Sequence, residues 1–266
     1  MKKFKEQLMK GNLSDRTITF YVYAVKKFFQ TYKNLSKQNL LSFKNFLLER
    51  YKPRTTNLYL QALNKYLIYN KKPLLKLKLL KFQEKNYLEN VISNSDYMLL
   101  KEKLKADKNY MGYFIVWVLG ATGVRISELI SLKVEHIKLG FYDIYSKGGK
   151  IRRIFLSKNL CQEILNWLKN NNQTSGYLFL NKYGNKITSR GVSYKLKNYA
   201  RKYGINLKVV YPHSFRHRFA KNFLEKYDDL SLLADLMGHT SIETTRIYLR
   251  KTTSEQQNII NKIINW

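Results

Sequence analysis

The stretch "HTSIETTRIYLRKT", residues 239–252, places a histidine nine positions before a tyrosine near the end of the chain. Gly238 precedes it and is suited to end one helix, and Ser241 is suited to cap the next. The pattern therefore predicts a helix that begins after Ser241 and carries Tyr248. A tyrosine at such a position is usually core filler. Tyr248 is one of 21 tyrosines, so a functional role for it can be argued only from the residues that precede it.

Composition limits the class of protein. The chain has 266 residues, of which 44% are hydrophobic, enough for packed cores in one large domain or two ordinary ones. The single cysteine, Cys161, cannot form an intramolecular disulfide, which fits a reducing compartment. The start of the chain lacks the apolar stretch of a signal peptide, and the longest apolar run is too short to span a bilayer. We therefore expect a soluble, cytoplasmic protein.

The charge of the chain favours a polyanionic partner. There are 49 Lys and Arg residues against 18 Asp and Glu, a formal net charge of +31. Residues 1–90 hold 20 basic and 5 acidic residues, so this part is the more densely charged. A lysine-rich codon bias could also fill solvated faces, but it would not by itself deplete acidic residues. We expect both parts of the chain to contact the polyanion.

Two parts of the chain differ in their patterns. Apolar residues recur at helical spacing through the first part, in residues 14–32, 36–51, 54–70 and, more weakly, 74–82. The later part alternates helical patterns with one strand pair, at 141–146 and 150–156, joined through Gly148 and Gly149. We predict a basic helical domain over 1–84, a linker over 85–95 and a second domain over 96–266. The predicted class is mainly α with a small β-sheet.

Two stretches place arginines where an anion could bind. "HSFRHRFA" puts His213 and Arg216 on one face of a helix near its N-terminus, where free N–H groups and the helix dipole favour phosphate. A solvated basic face explains this stretch alone equally well. "ATGVRISEL" puts Arg125 in the first turn of a helix with Glu128 one turn later. An ordinary ion pair between them is the alternative interpretation.

A third stretch, "YSKGGK", places Lys147 at the edge of a turn between two strands. The glycines that follow it would let the backbone approach a ligand closely. The plainer interpretation is an exposed turn lysine.

Taken in order, four stretches resemble the tyrosine recombinase (phage integrase) family, and in particular its short, two-domain bacterial members of the Xer type. They are "TGVRISELISL", "SKGGKIRRIFL", "HSFRHRFA" and "LMGHTSIETTRIYL". The resemblance is weak up to residue 90 and strong from about 115 to 250. It implies a helical, SAM-like core-binding domain and a mixed α/β catalytic domain that form a C-shaped clamp around duplex DNA. The implied activity is site-specific recombination through a 3′-phosphotyrosine intermediate, by a tetramer acting on two sites at the bacterial nucleoid.

The resemblance also implies roles for six catalytic residues. Arg125 and Arg216 would clamp the scissile phosphate, His213 would act as general base and phosphate ligand, His239 would hydrogen-bond a phosphate oxygen, Lys147 would protonate the leaving 5′ oxygen, and Tyr248 would be the nucleophile. The chain departs from the family pattern at flanking positions, without losing a catalytic group: Ser214, Phe215, Arg218 and Met237.

Physical chemistry supports these roles independently. Two arginines can neutralise a phosphodiester without a metal, and the sequence lacks the carboxylate cluster of a two-metal nuclease. A phenol with a pKa of about 10 needs help from neighbouring cations and a base. We therefore predict an enzyme that requires no metal, ATP or other cofactor. Two alternatives remain open: a type IB topoisomerase, and a non-catalytic DNA-binding regulator built on helix-turn-helix units.

The end of the chain, "LRKTTSEQQNIINKIINW", is too apolar for a solvated terminus. Helical spacing places several large apolar residues on one side: Ile259, Ile260, Ile263, Ile264 and Trp266. This side could pack on its own domain. The family resemblance instead suggests that residues 255–266 dock into a neighbouring subunit of a homo-oligomer.

Overall fold

The computed structural model describes residues 1–82, 89–145, 151–239, 241–249 and 253–264. The chain divides into two compact units, Met1–Glu84 and Lys85–Trp266. Unit 1 contains α1 (Lys2–Lys10), α2 (Asp15–Thr31), α3 (Lys37–Arg50), α4 (Pro53–Tyr69) and a 3₁₀ turn at Pro73–Leu75. The hydroxyls of Ser14 and Ser36 cap α2 and α3 by accepting from backbone N–H groups, as expected for N-cap serines.

Helix α1 has no counterpart among the predicted helices. Its sequence is dominated by charge, but Phe4 and Leu8 lie one turn apart and are both 1% exposed. The Phe4 ring packs edge-on against Tyr66 of α4, with ring centroids 4.9 Å apart. Two buried side chains are thus enough to pack this helix against the rest of the bundle.

The weak helix predicted over residues 74–82 is wrong. After the 3₁₀ turn, residues 76–82 have no helical structure. The side chain of Asn64 bonds both the N–H and the carbonyl of Leu77, and Asn57 does the same for Leu80. These two asparagines of α4 take the backbone hydrogen bonds that a helix would have used.

Unit 2 is built around an apolar helix. Its elements are α5 (Asn94–Ala106), α6 (Tyr110–Thr122), α7 (Ile126–Leu129), α8 (Val134–Leu139), β1 (Phe141–Tyr145), β2 (Ile151–Phe155), α9 (Lys158–Asn170), α10 (Ser189–Lys202), α11 (Pro212–Tyr227), α12 (Leu230–Met237), α13 (Ile242–Arg246), a 3₁₀ turn (Ile247–Leu249) and α14 (Thr253–Ile263). Helix α6 is buried on nearly every side and packs against α5 and α11. A helix that is apolar all round belongs in a core.

The first elements of unit 2 differ in extent from their predictions. Helix α5 begins at Asn94, inside the linker predicted over 85–95, because Ser93 caps it. Ile92, inside the predicted linker, is buried and donates its N–H to the Ser214 hydroxyl at 2.7 Å. The helix predicted to hold Arg125 in its first turn is α7, which begins just after Arg125 and ends at Leu129. Beyond it, the Leu132 carbonyl accepts from the Leu178 N–H in a bridge with a distant segment.

The predicted small sheet is confirmed. Strands β1 and β2 are antiparallel, with Phe141 opposite Phe155 and Ile144 opposite Arg152. The predicted turn that joins them, with Lys147, Gly148 and Gly149, lies outside the described residues. The fold class, mainly α with a small sheet, is therefore confirmed. Within the described ranges, no helix is both long and apolar enough to cross a membrane.

Candidate active site

Helix α11 fixes Arg216 inside the protein. The side chain is 3% exposed. Its Nη1 donates to the carbonyl of Gly123 at 2.7 Å, and its Nη2 donates to the carbonyl of Met237 at 2.6 Å. These carbonyls lie at the C-terminal ends of α6 and α12, where backbone oxygens lack helical partners and the helix dipole is negative. The ends of two helices thus compensate one buried cation.

Burial lowers the pKa of Arg216 to about 10, and the positive charge of Arg125 acts in the same direction. The guanidinium nevertheless remains charged at neutral pH, because its pKa lies well above 7.

Arg125 reaches the same place from the loop after α6. Gly123 ends α6 with a φ of +60°, and a Cβ there would lie 2.5 Å from the Phe219 ring, so the turn requires glycine. The guanidinium of Arg125 donates to the carbonyl of Gly238 at 3.1 Å and to Glu128 at 2.9 Å. The side chain is 37% exposed, so part of this cation faces solvent.

The ion pair between Arg125 and Glu128 does form, but it is part of a larger group. Glu128 is buried, and its Oε1 accepts from Arg125 and from Arg152 Nη1, each at 2.9 Å. Its Oε2 accepts from the backbone N–H of Arg125 at 2.7 Å. Sequence reasoning identified neither the burial of Glu128 nor the contribution of Arg152. The available signal was the alternation in β2, which turns Arg152 inward and Arg153 outward.

His239 links the arginines to the tyrosine. Its Nε2 lies 3.0 Å from Arg216 Nη2, and its Nδ1 lies 2.7 Å from the hydroxyl of Thr245. Because a guanidinium can only donate, Nε2 must accept, and the ring proton must sit on Nδ1. Burial, followed by the charge of Arg216, lowers the pKa of His239 to about 4, which agrees with a neutral ring.

Tyr248 lies on the 3₁₀ turn that follows α13, although the sequence predicted a continuous helix there. Its ring stacks on His239, with centroids 6.0 Å apart and planes 15° apart. The residue is 5% exposed and packs in a small apolar cluster with Ala220, Leu224, Leu233 and Met237. Burial raises the pKa of Tyr248, against the opposing effect of Arg216.

Helix α11 carries two further histidines, of which His217 lies next to Tyr248. His213 is exposed, and its ring lies 6.5 Å from that of His217. The His217 ring lies 5.4 Å from that of Tyr248. Burial, then the nearby His213 and Arg216, lower the pKa of His217 to about 4, and its buried Nδ1 has no hydrogen-bond partner among the described residues. Sequence reasoning missed His217, although it lies one helical turn after His213.

The structure therefore brings together four of the six candidate residues in direct contacts or a linked network: Arg125, Arg216, His239 and Tyr248. His213 lies at the edge of this group, and desolvation, then the charges of Arg216 and Arg125, lower its pKa. Lys147 lies outside the described residues. In the described part of the chain, no cluster of three His, Cys, Asp or Glu residues is placed to hold a metal ion.

Comparisons with known proteins identify the family of the chain. The model of the phage integrase family matches residues 81–255. Tyrosine recombinase XerA of Pyrococcus horikoshii is 32% identical to the chain, over 98% of this chain and 92% of that protein.

Solved structures show the same fold at lower sequence identity. A XerA recombinase structure superposes with a TM-score of 0.56 at 23% identity, over 100% of this chain and 98% of that one. The XerH site-specific recombinase bound to its difH substrate gives a TM-score of 0.65 at 21% identity, over 88% of this chain and 72% of that one. The chain thus belongs to the phage integrase family and is a tyrosine-type site-specific DNA recombinase.

Proposed function

We propose that this recombinase attacks DNA with the hydroxyl of Tyr248 and holds the broken strand as a 3′-phosphotyrosine until the ends are rejoined. One observation carries the assignment: the Tyr248 ring stacks on His239, which contacts Arg216. A covalent phosphotyrosine also conserves the energy of the phosphodiester, which suits strand exchange better than hydrolysis.

The arginines would neutralise the scissile phosphate. Arg125 offers a partly exposed guanidinium, and Arg216 offers a buried one. Their permanent charges and forked geometry suit the non-bridging oxygens of a phosphodiester in the transition state. This supports a common role for both residues as the phosphate clamp.

Proton transfer would involve a histidine and a lysine. The raised pKa of Tyr248 means that its hydroxyl is protonated in the free protein and must lose its proton during attack. The lowered pKa of His213 keeps that ring neutral and able to accept a proton near pH 7. Lys147, as the acid that protonates the leaving 5′ oxygen, remains a prediction from the sequence.

His239 would donate a hydrogen bond to a phosphate oxygen. In the free protein its Nε2 accepts from Arg216, so the ring must carry its proton on Nε2 when phosphate binds. Replacing the guanidinium by a phosphate oxygen as the partner of Nε2 would favour that change of tautomer.

We further propose that the enzyme acts as a tetramer on two duplex sites, joined through its C-terminal helices. Helix α14 exposes Ile259, Ile260 and Ile263 by 38%, 48% and 60%. A row of exposed isoleucines is suited to burial against another subunit. The net charge of +31 supports duplex DNA as the partner, and we expect the enzyme to work in the cytoplasm at the nucleoid.

The nucleophile can be tested even though the target site is not identified. The Tyr248→Phe protein is used to select duplexes from a random-sequence pool, and the selected sequence is built into a nicked suicide duplex. In EDTA and without nucleotide, the wild-type protein should form a covalent adduct, and Tyr248→Phe should bind equally well but form none. Tyr227→Phe serves as control, because Tyr227 is 71% exposed in the same unit. An adduct with Tyr248→Phe would assign the nucleophile to another residue.

The phosphate clamp is tested on the same duplex. Replacing Arg125 with alanine should slow adduct formation by about two orders of magnitude, on the scale of about 3 kcal/mol for one lost oxyanion donor. Arg246→Ala is the control, because Arg246 is exposed and pairs with Glu243. Adduct formation at the wild-type rate by Arg125→Ala would remove Arg125 from the clamp.

A further inference from the structure

Three successive carbonyls at the end of α12 accept hydrogen bonds from three different arginines. The carbonyl of Leu236 accepts from Arg152, and those of Met237 and Gly238 accept from the two arginines of the proposed clamp. This end of α12 leads directly into His239. The position of one turn therefore depends on three guanidinium groups, and only Arg152 among them has no role in the proposed chemistry.

Arg152 is held in a tightly defined position. It is 8% exposed; its Nε donates to the Leu236 carbonyl at 2.7 Å, and its Nη1 donates to Glu128 at 2.9 Å. Its Cδ packs against Gly238, where a Cβ would lie 2.4 Å from that atom. Gly238 also has a φ of +62°, so both the backbone conformation and the contact with Arg152 require glycine.

The charges in this cluster are unequal. In the described part of the chain, one carboxylate, that of Glu128, contacts both Arg125 and Arg152. The guanidinium of Arg216 is satisfied by carbonyls and by His239 instead. The buried Nη2 of Arg152 has no hydrogen-bond partner among the described residues. The cluster thus holds three cations around one anion, and a phosphate would bring it closer to neutrality.

We infer that Arg152 is a positioning residue for strand cleavage: it fastens the turn that carries His239 to the pair of Arg125 and Glu128. Arg152 does not contact the phosphate; it makes the arginines and the histidine act as one rigid group. The inference rests on the proposed function of Tyr248 and of the phosphate clamp.

Neighbouring arginines of β2 provide a matched test. Arg153 lies next to Arg152 but faces outward and pairs with Asp143. On the nicked suicide duplex described above, Arg152→Met should lower the single-turnover rate of adduct formation by about 100-fold, the scale typical of small misplacements of reacting groups. Its dissociation constant for the uncleaved duplex should change less than about twofold, because Arg152 is not a DNA contact. Arg153→Met should retain the wild-type cleavage rate.

Further variants separate positioning from a loss of folding. Arg152→Lys keeps the charge but loses the fork, so its rate should lie between those of the wild type and Arg152→Met. Gly238→Ala should reduce cleavage in the same way, because its Cβ displaces the Arg152 side chain. Tryptophan fluorescence checks that each variant is folded, because all three tryptophans lie in unit 2.

A double variant tests whether Arg152 affects the cleavage rate through His239. If Arg152 acts through His239, Arg152→Met should slow an enzyme that already carries His239→Ala far less than it slows the wild type. Cleavage at the wild-type rate by Arg152→Met or Arg152→Lys, or fully additive losses in the double variant, would overturn the inference. Failure of the wild-type protein to form any adduct would instead overturn the proposed function.

Discussion

At the scale of single residues, charged side chains in this site are positioned by backbone groups that the helices leave without partners. Arg216 satisfies the ends of α6 and α12 at once. Its burial is therefore compatible with its charge, because carbonyl oxygens at helix ends replace water. The buried Nδ1 of His217, in contrast, has no hydrogen-bond partner among the described residues.

The lowered pKa of His217 makes the free energy of unfolding depend on pH. Its pKa in the folded protein is about 4, lowered first by burial, whereas an unfolded chain has a histidine pKa of about 6.5. Between these values the unfolded state binds the extra proton, so the free energy of unfolding falls as the pH drops from 6.5 towards 4. At pH 5, protonation of His217 should lower the free energy of unfolding by at most about 2 kcal/mol.

Urea unfolding of the wild type and His217→Gln at pH 7.5 and pH 5, followed by tryptophan fluorescence, measures this contribution. The wild type should lose more stability on acidification than the variant. Carboxylates titrate equally in both proteins and cancel in the difference. Identical losses would show that His217 is not held neutral by the fold.

At the scale of elements, sequence predicted those helices whose signals are local. Ser14 and Ser36 cap the helices expected after them, and the strand pair follows from alternation next to glycines. Residues 76–82 could not be predicted in this way, because side chains of α4 determine their backbone pairing.

The candidate site shows the same division between local and distant information. Local motifs pointed to Arg125, Arg216, His239 and Tyr248, and the structure brings these four residues together. Arg152 could not be assigned, because its partners Leu236 and Glu128 lie far away in the chain and meet it only in the folded unit.

Helix α14 is the element whose function is most open to test. Replacing Ile259, Ile260 and Ile263 by serine should leave binding to a single half-site unchanged, since these side chains are exposed in the free chain. Cooperative binding to a full site, and synapsis of two sites, should weaken, because each buried isoleucine contributes about 1.5–3 kcal/mol before ordering costs.

Gel-shift titration on half-sites and full sites measures both quantities for α14. The matched control replaces Asn258 and Asn261 of the same helix by serine, which should leave assembly intact. Unchanged cooperativity in the isoleucine variant would show that α14 does not join subunits.

At the scale of the whole molecule, each unit has its own core and its own excess of basic residues. The charge of each unit alone does not show which unit binds DNA. The dependence of binding on salt does, because each neutralised phosphate contributes about −0.9 to the slope of log K against log salt concentration.

If both units contact DNA, the slope for the full chain should be clearly steeper than that for Lys85–Trp266 alone. The comparison uses one duplex, several potassium chloride concentrations and a fluorescence check that the shorter protein is folded. Equal slopes would mean that the helices of unit 1 do not neutralise phosphates.

The three carbonyls at 236–238 also bear on where a strand is cut. The two guanidinium groups of the proposed clamp, those of Arg125 and Arg216, are already held by the backbone, so little rotamer freedom remains for them to follow a displaced phosphate. Neighbouring phosphates along a strand are spaced by about 3.4 Å of helix rise, more than such fixed forks can accommodate. If the proposed clamp holds the scissile phosphate, an inflexible cradle of this kind would select one phosphate and reject its neighbours, and the end of a helix would then help to set the cutting position.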